Sequence, residues 1–377
     1  MKKIYWWIQQ INRIGGTEMV TIDLANSLCD KYDITLVSTV KIDGEIPYKI
    51  DPRIKVISMG IPTRCERFDF LSKKYLSHFR IFSYLGLVLQ EGWHFVLRRR
   101  HYAKQMEKRL LEEDATLICS SVDTYSLAPK KGRVFFHYHF DVKTFFGQDS
   151  FFIKHSRKPD KFIFLSRTIL EEITAKRPDL AKKSTYIYNP IRFESLLDTN
   201  YKNNTIVFVG RLAEQKNPLL ALAIAEELKN RNFPFHLNMF GDGPIKNDVV
   251  QYHKDHQLED VVTIHGFTND VHKEILNSDF LLLTSRYEGF CLVMGEANAL
   301  SRPWVTTDFG NSLNEQLVKD RNGIVINSEN PSDFADAIID LLSDKDRLAN
   351  LKMTSYQESK KLSKDIIIPQ WIKVIEE

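Results

Sequence analysis

Two glutamates eight positions apart, Glu288 and Glu296, are joined by Gly289-Phe290-Cys291-Leu292-Val293-Met294-Gly295. The apolar run before them, Asp279–Ser285, reads as a buried strand, and the run Val293–Ala299 reads as a helix. Glu288 then stands at the carboxyl end of a strand, where open α/β sheets bind ligands. A carboxylate there accepts two hydrogen bonds from a vicinal diol, such as a ribose or a hexose. The free N–H groups of a helix start suit phosphate oxygens. The spacing alone also fits a surface strand-turn-helix with two solvated glutamates.

Further anion-binding groups lie upstream. Gly210-Arg211-Leu212-Ala213-Glu214-Gln215-Lys216-Asn217-Pro218 follows one apolar run and precedes a helical one. A glycine at a strand end lets backbone approach a ligand closely. Arg grips phosphate with paired N–H groups, and Lys adds a point charge. Without the glutamates this would be an ordinary basic loop. Gly15-Gly16-Thr17-Glu18 sits between the first strand and the first helix. It is neither a G-x-G-x-x-G fingerprint nor a Walker loop, which argues against a dehydrogenase or an ATPase.

Together these segments resemble the E-x7-E signature, the diphosphate clamp and the N-terminal Gly-Gly loop of family 4 glycosyltransferases. The resemblance is strongest over 205–330 and looser over 1–190. It implies the GT-B fold: two Rossmann-like, doubly wound parallel-sheet α/β domains facing across a cleft. It implies a retaining transfer of a hexose or N-acetylhexosamine from a nucleotide sugar, UDP-linked by family frequency. The acceptor is then a hydroxyl of a cell-surface glycan, wall polymer or glycolipid. Arg211 and Lys216 would hold the leaving diphosphate, Glu288 the sugar hydroxyls and Glu296 the ribose. Gly210, Gly289, Phe290, Cys291, Leu292 and Val293 would line the donor, with Cys291 standing where many relatives carry Gly. Gly266 and Phe267, after His265, would lie near the base, and Gly15 and Gly16 would approach the donor or the acceptor. Phe240-Gly241-Asp242-Gly243-Pro244 resembles the family's tight turn. Gly310-Asn311 is a candidate for the pocket rim. A histidine facing the donor sugar is expected at the strand Arg133–Tyr138, with His137 favoured and His139 pointing the same way. Two other readings keep this fold: an inactive GT-B partner subunit of another transferase, and a sugar-nucleotide epimerase.

Metal is not expected, and neither is a cofactor. The D-x-D in the chain, Asp344-Lys345-Asp346, falls in a helical region away from any strand end. Four cysteines, Cys29, Cys65, Cys119 and Cys291, fit no zinc or disulfide pattern and suggest a reducing, cytoplasmic setting. No apolar run reaches the roughly 18–20 residues of a membrane span.

The 377 residues, 43% hydrophobic and 27% charged, suit two globular domains. The first is expected over 1–190, a polar hinge over 191–204, and the second over 205–353. Strands are expected at Lys3–Gln9, Asp33–Thr39, Ile54–Ser58, Ala115–Ser120, Arg133–Tyr138, Lys161–Ser166 and Tyr186–Ile191, then at Thr205–Val209, His236–Phe240, Val261–Ile264, Pro303–Thr307 and Gly323–Ile326. Helical patterns between them imply parallel sheets. The tail 354–377 reads as one helix, which either crosses back to the first domain or packs on its own.

Net charge is +3, unevenly spread: residues 1–190 hold 32 Lys and Arg against 21 Asp and Glu, and residues 191–377 hold 20 against 28. The stretch 64–110 interleaves cations with aromatics, which suits an anionic membrane surface or a solvated face over a core. Nucleic acid is a poorer partner, since no recognised binding motif accompanies the charge. The membrane reading predicts that reversing Arg98, Arg99 and Arg100 to Glu reduces sedimentation with anionic liposomes at low salt. A wild-type protein that ignores such liposomes contradicts it.

Overall fold

The structure is a computed structural model that describes residues 1–60, 101–155, 158–268, 270–310, 313, 315 and 321–377. Most of the basic, aromatic stretch 64–110 lies outside the described residues, which resume with helix at 101–112. The chain divides into two compact units: Met1–Leu165 with Ile173–Ile187 and Ile372–Glu377, and Ser166–Glu172 with Tyr188–Trp371.

The first unit is built on seven parallel strands among the described residues: β1 (Lys3–Ile8), β2 (Asp33–Ser38), β3 (Lys55–Ser58), β4 (Thr116–Cys119), β5 (Arg133–Tyr138), β6 (Lys161–Phe164) and β7 (Ser184–Tyr186). Their order is β3-β2-β1-β4-β5-β6-β7. Strands covered on both faces read as continuous apolar runs rather than alternating ones. Lys3-Ile4-Tyr5-Trp6-Trp7-Ile8 is such a run, with Trp6 and Trp7 fully buried. The order reverses between β1 and β4, the position at which doubly wound sheets open a crevice at their strand ends. The Gly15-Gly16 turn follows β1 and so stands at that point.

The second unit has six described parallel strands: β8 (Thr205–Val209), β9 (His236–Phe240), β10 (Val262–Gly266), β11 (Phe280–Leu283), β12 (Trp304–Thr307) and β13 (Gly323–Ile326). Their order is β10-β9-β8-β11-β12-β13, so the reversal falls between β8 and β11. One core face packs Ala221, Leu222, Ile224 and Leu228 of helix Pro218–Asn230 against Phe334, Ile338 and Leu341 of helix Pro331–Ser343.

Three elements differ from the sequence expectation. The strand expected at Tyr186–Ile191 ends at Tyr186, after a 3-10 turn at Pro178–Lys183. Strand β10 runs on to Gly266, with a register shift against β9 between Ile264 and Gly266. Gly266 takes φ +77, which a Cβ would strain. The tail is three elements: helix Lys345–Ser359, a 3-10 turn Lys360–Leu362 and helix Lys364–Glu376. The break buries Leu362, whose carbonyl accepts the Ile191 N–H at 2.9 Å.

The last residues belong to the first unit. Lys2 Nζ and Arg133 Nη1 donate to the Ile375 carbonyl at 2.8 and 2.7 Å, and Tyr32 donates to Glu376 at 2.7 Å. Cations there satisfy carbonyls that a helix end leaves open and oppose its dipole.

Residues 191–204 belong to the second unit and are bound into it by buried charges. Arg302, fully buried, donates to the Asp198 carboxylate and carbonyl at 2.7 Å each. Lys352, also fully buried, donates to Asp279 at 2.8 Å and to the Asn200 carbonyl at 2.6 Å. The Lys202 N–H reaches the same Asp279 oxygen at 2.8 Å. Burial pulls the pKa of both Arg302 and Lys352 down, against the pull of their carboxylate partners. Removing one member of a buried pair strands the other charge, which costs about 3–5 kcal/mol. Asp279→Ala is therefore expected to lower the unfolding free energy by about 3 kcal/mol or more, read from the urea midpoint. A midpoint unchanged from wild type contradicts the network.

Candidate functional site

Because β8 and β11 are neighbours, the loops that leave their carboxyl ends are neighbours too. Gly210 N–H donates to the Phe240 carbonyl at 3.0 Å, which ties the loop after β8 to the end of β9. Gly241, at φ +152, lies so close that a Cβ there would sit 1.8 Å from the Gly210 carbonyl oxygen. At Gly243 a Cβ would sit 2.3 Å from the Leu212 carbonyl oxygen. Leu212 N–H donates to the Asp242 carbonyl at 3.0 Å. The Gly-Asp-Gly turn thus forms the floor on which residues 210–216 lie.

The other side of this loop is laced to the loop after β11. Thr284 Oγ1 donates to the carbonyls of Lys216 and Asn217 at 3.0 and 2.9 Å. Arg286 N–H donates to the Gln215 carbonyl at 2.9 Å, and Gln215 Nε2 to the Tyr287 carbonyl at 3.0 Å. Asn217 turns in the left-handed region, at φ 47, and Pro218 opens the helix. These bonds hold Lys216 against Glu288, and the ammonium forms an ion pair with the carboxylate. Glu288 is 7% exposed and Lys216 21%. Burial alone would lower the pKa of Lys216, but Glu288 outweighs it, so the lysine ends above its ordinary value and stays charged. Arg211, two residues before the turn that starts at Ala213, is exposed and makes no side-chain bond among the described residues.

Helix Leu292–Ala299 begins beside this pair, with Cys291 at its N-cap and no side-chain acceptor on its first N–H groups. Cys291 is 2% exposed, and burial, with Glu288 nearby, pushes its thiol up to about 12. It is a neutral thiol at physiological pH. Phe290 and Val293 are buried around it. One turn on, the Glu296 carboxylate accepts from Arg192 Nε at 2.7 Å. Gly266 and Phe267 stand at the end of β10, two strands from β8, with Phe267 49% exposed. His265 stacks on Phe240 there, with ring centroids 4.4 Å apart. Gly310 turns at φ +100, and Asn311 lies outside the described residues.

In the first unit, Gly15 caps helix Gly16–Leu28 in extended backbone, and its N–H donates to Tyr48 Oη at 2.8 Å. The Glu18 carboxylate folds back over it: a Cβ on Gly15 would sit 2.4 Å from Glu18 Oε2. His137, 1% exposed on β5, lies with its ring 4.0 Å from that of His139 and 6.5 Å from Trp6. Burial first, and the neighbouring His139 second, hold His137 far below its ordinary pKa. Burial takes His139 down to about 3. Both imidazoles are neutral at pH 7, able to donate and accept hydrogen bonds but not to supply positive charge.

Sequence reading therefore finds Lys216, Glu288 and Cys291, which the fold brings together, and Glu296 on the helix they open. It misses Arg192, a lone cation in a polar segment. It also misses Glu315, whose carboxylate accepts from the Thr168 N–H at 2.7 Å and from the Tyr188 hydroxyl. No local pattern marks either one. Among the described residues no group of three or more His, Cys, Asp or Glu could hold a metal ion. Asp344 caps helix Lys345–Ser359 by accepting from Arg347 N–H at 2.9 Å.

Residues 192–358 match the family model described as Glycosyl transferases group 1. The chain is 24% identical, over 100% of its length and 99% of the relative's, to a Campylobacter jejuni alpha-1,4-N-acetyl-D-galactosaminyltransferase that acts on a diNAcBac-PP-undecaprenol glycan. It is 22% identical to the amylovoran biosynthesis glycosyltransferase AmsD of Erwinia amylovora, over 100% of both chains. Among solved structures, Staphylococcus aureus TarM with UDP aligns over 100% of both chains with a TM-score of 0.79 at 16% identity. Anabaena HepE with UDP and glucose aligns over 100% of both with a TM-score of 0.74 at 15% identity. The two parallel-sheet units have the GT-B fold, and the chain is a glycosyltransferase whose residues 192–358 match the model of group 1 glycosyl transferases.

Proposed function

We propose that the enzyme moves a hexose or N-acetylhexosamine from a UDP-linked sugar to a hydroxyl of a bacterial surface glycan, wall polymer or glycolipid, with retention of configuration. The Lys216–Glu288 ion pair, buried where β8 meets β11 beside an uncapped helix start, carries this reading. The nucleotide is supported by TarM and HepE, whose structures hold UDP, and the acceptor class by the undecaprenol-linked substrate of the Campylobacter relative.

In this mechanism the donor's diphosphate lies over the first N–H groups of helix Leu292–Ala299, where helix dipole and open donors favour an anion. Lys216 faces the oxygen on which negative charge grows as the sugar bond breaks. Arg211, exposed on the same loop, closes on the phosphates as a bidentate donor. Glu288 accepts hydrogen bonds from sugar hydroxyls while its charge keeps Lys216 protonated. Glu296, steadied by Arg192, accepts from the ribose diol. The acceptor hydroxyl enters on the face that the diphosphate leaves, and the departing phosphate oxygen takes its proton. We assign His137, a neutral imidazole able to offer an N–H, to a sugar oxygen of the donor. Cationic side chains and the helix start take the part a divalent ion would play. In this reading the protein works at the inner face of the membrane, drawn there by the cations and aromatics of the sequence 64–110.

Nucleotide release from a panel of sugar nucleotides tests the reading. Lys216→Ala is expected to lower kcat by roughly 100-fold, about 3 kcal/mol, with the acceptor KM little changed. Arg211→Ala is expected to act in the same direction. Near-normal turnover in both variants removes the clamp assignment. Turnover is expected to survive excess EDTA. Loss with EDTA and return with manganese or magnesium contradicts the metal-free mechanism. No release from any sugar nucleotide favours the inactive-partner reading.

A further inference from the structure

Glu315 makes an arrangement in the second unit that the mechanism above does not use. One carboxylate oxygen accepts two bonds from one residue, the Thr168 N–H at 2.7 Å and the Thr168 hydroxyl at 2.5 Å. The other oxygen accepts from the Tyr188 hydroxyl. The Tyr188 ring stacks on Phe290, with centroids 5.9 Å apart and planes 29° from parallel. Phe290, 8% exposed, is two residues from Glu288 and one from the helix N-cap Cys291. The chain of contacts therefore runs from Thr168 through Glu315 and Tyr188 to the middle of the signature loop.

We propose that Glu315 is a positioning residue for the donor loop: anchored by Thr168, it fixes the Tyr188 ring, and the ring fixes Phe290 and so the segment that carries Glu288 and the helix start. The physical reason lies in the difference between stacking and hydrogen bonding as restraints on Phe290. Gly289, beside it, has no side chain, and ring stacking has no directional lock of its own. A hydrogen bond from a phenol to a carboxylate is directional and stronger than one between neutral groups. The Thr168 pair holds one carboxylate oxygen in place, which leaves the other at a fixed distance for the Tyr188 hydroxyl. Departure of a diphosphate over these amides requires the donors to hold position within about 0.5 Å, and the relay supplies that rigidity.

The kinetic consequence rests on the transferase reading; the mechanical one does not. Two variants separate them. Tyr188→Phe keeps the ring and loses the tether; Glu315→Ala loses the tether and its anchor. Amide hydrogen exchange over 286–294 is expected to speed up by about fivefold or more in both variants, with exchange in β8 and β11 unchanged. Turnover is expected to fall about tenfold in each, the scale of a lost bond to a charged group. The double variant is expected to be no slower than Glu315→Ala, because both changes break one connection. Unchanged exchange over 286–294 in both variants overturns the proposal, and so do additive kinetic losses in the double variant. Should the wild-type protein release no nucleotide from any sugar nucleotide, the function proposed above fails, while the exchange result still decides the relay.

Discussion

The site depends on a single adjacency: β11 lies beside β8, although residues 210–279 separate them in the chain. In a parallel sheet the carboxyl ends of neighbouring strands open on the same side, and at a reversal of strand order no helix covers the gap between their loops. That places a lysine from one loop against a glutamate from the other. Glu288 keeps the buried lysine charged. In the function proposed above, the pair exchanges partners when a ligand bearing phosphate and hydroxyl groups arrives. A buried ion pair is weak evidence for stability, because desolvation offsets most of the attraction. Its position at a strand mouth beside open helix amides is what the proposed function uses.

The same unit holds a second set of buried charges with a different consequence. Arg302, Asp198, Lys352 and Asp279 lie at the opposite, amino-terminal ends of the strands, where Asp279 directly precedes β11. They draw the polar segment 191–204 onto the sheet's foot. One buried cluster therefore anchors backbone and the other faces the site. Burial and charge alone do not tell them apart. The end of the strand each occupies does, together with whether its partners are backbone carbonyls or the members of an open loop.

Most of the strands were legible because both faces of each sheet are covered, which writes them as unbroken apolar runs. The loops of the site were legible through residue types that such runs exclude: Gly210, Lys216, Glu288 and Gly289 each interrupt an apolar pattern at a strand end. What stayed hidden depends on distant partners. Asp198 and Lys202 read as part of a polar hinge, since Arg302 lies about a hundred positions away. Arg192 and Glu315 carry no local pattern, and their roles appear only when Glu296 and Tyr188 arrive beside them. The break at Lys360–Leu362 was invisible because the apolar periodicity runs through it. The run of β10 to Gly266 depends on a positive φ that a lone glycine permits but does not announce.

The central claim is that the donor's diphosphate binds at the β8–β11 junction. A crystal structure of the protein with UDP tests it most directly. The account predicts phosphate oxygens within hydrogen-bond distance of Lys216 Nζ and of the first N–H groups of helix Leu292–Ala299, with the ribose hydroxyls on Glu296. A diphosphate bound elsewhere, with the Lys216–Glu288 pair unengaged, would contradict it.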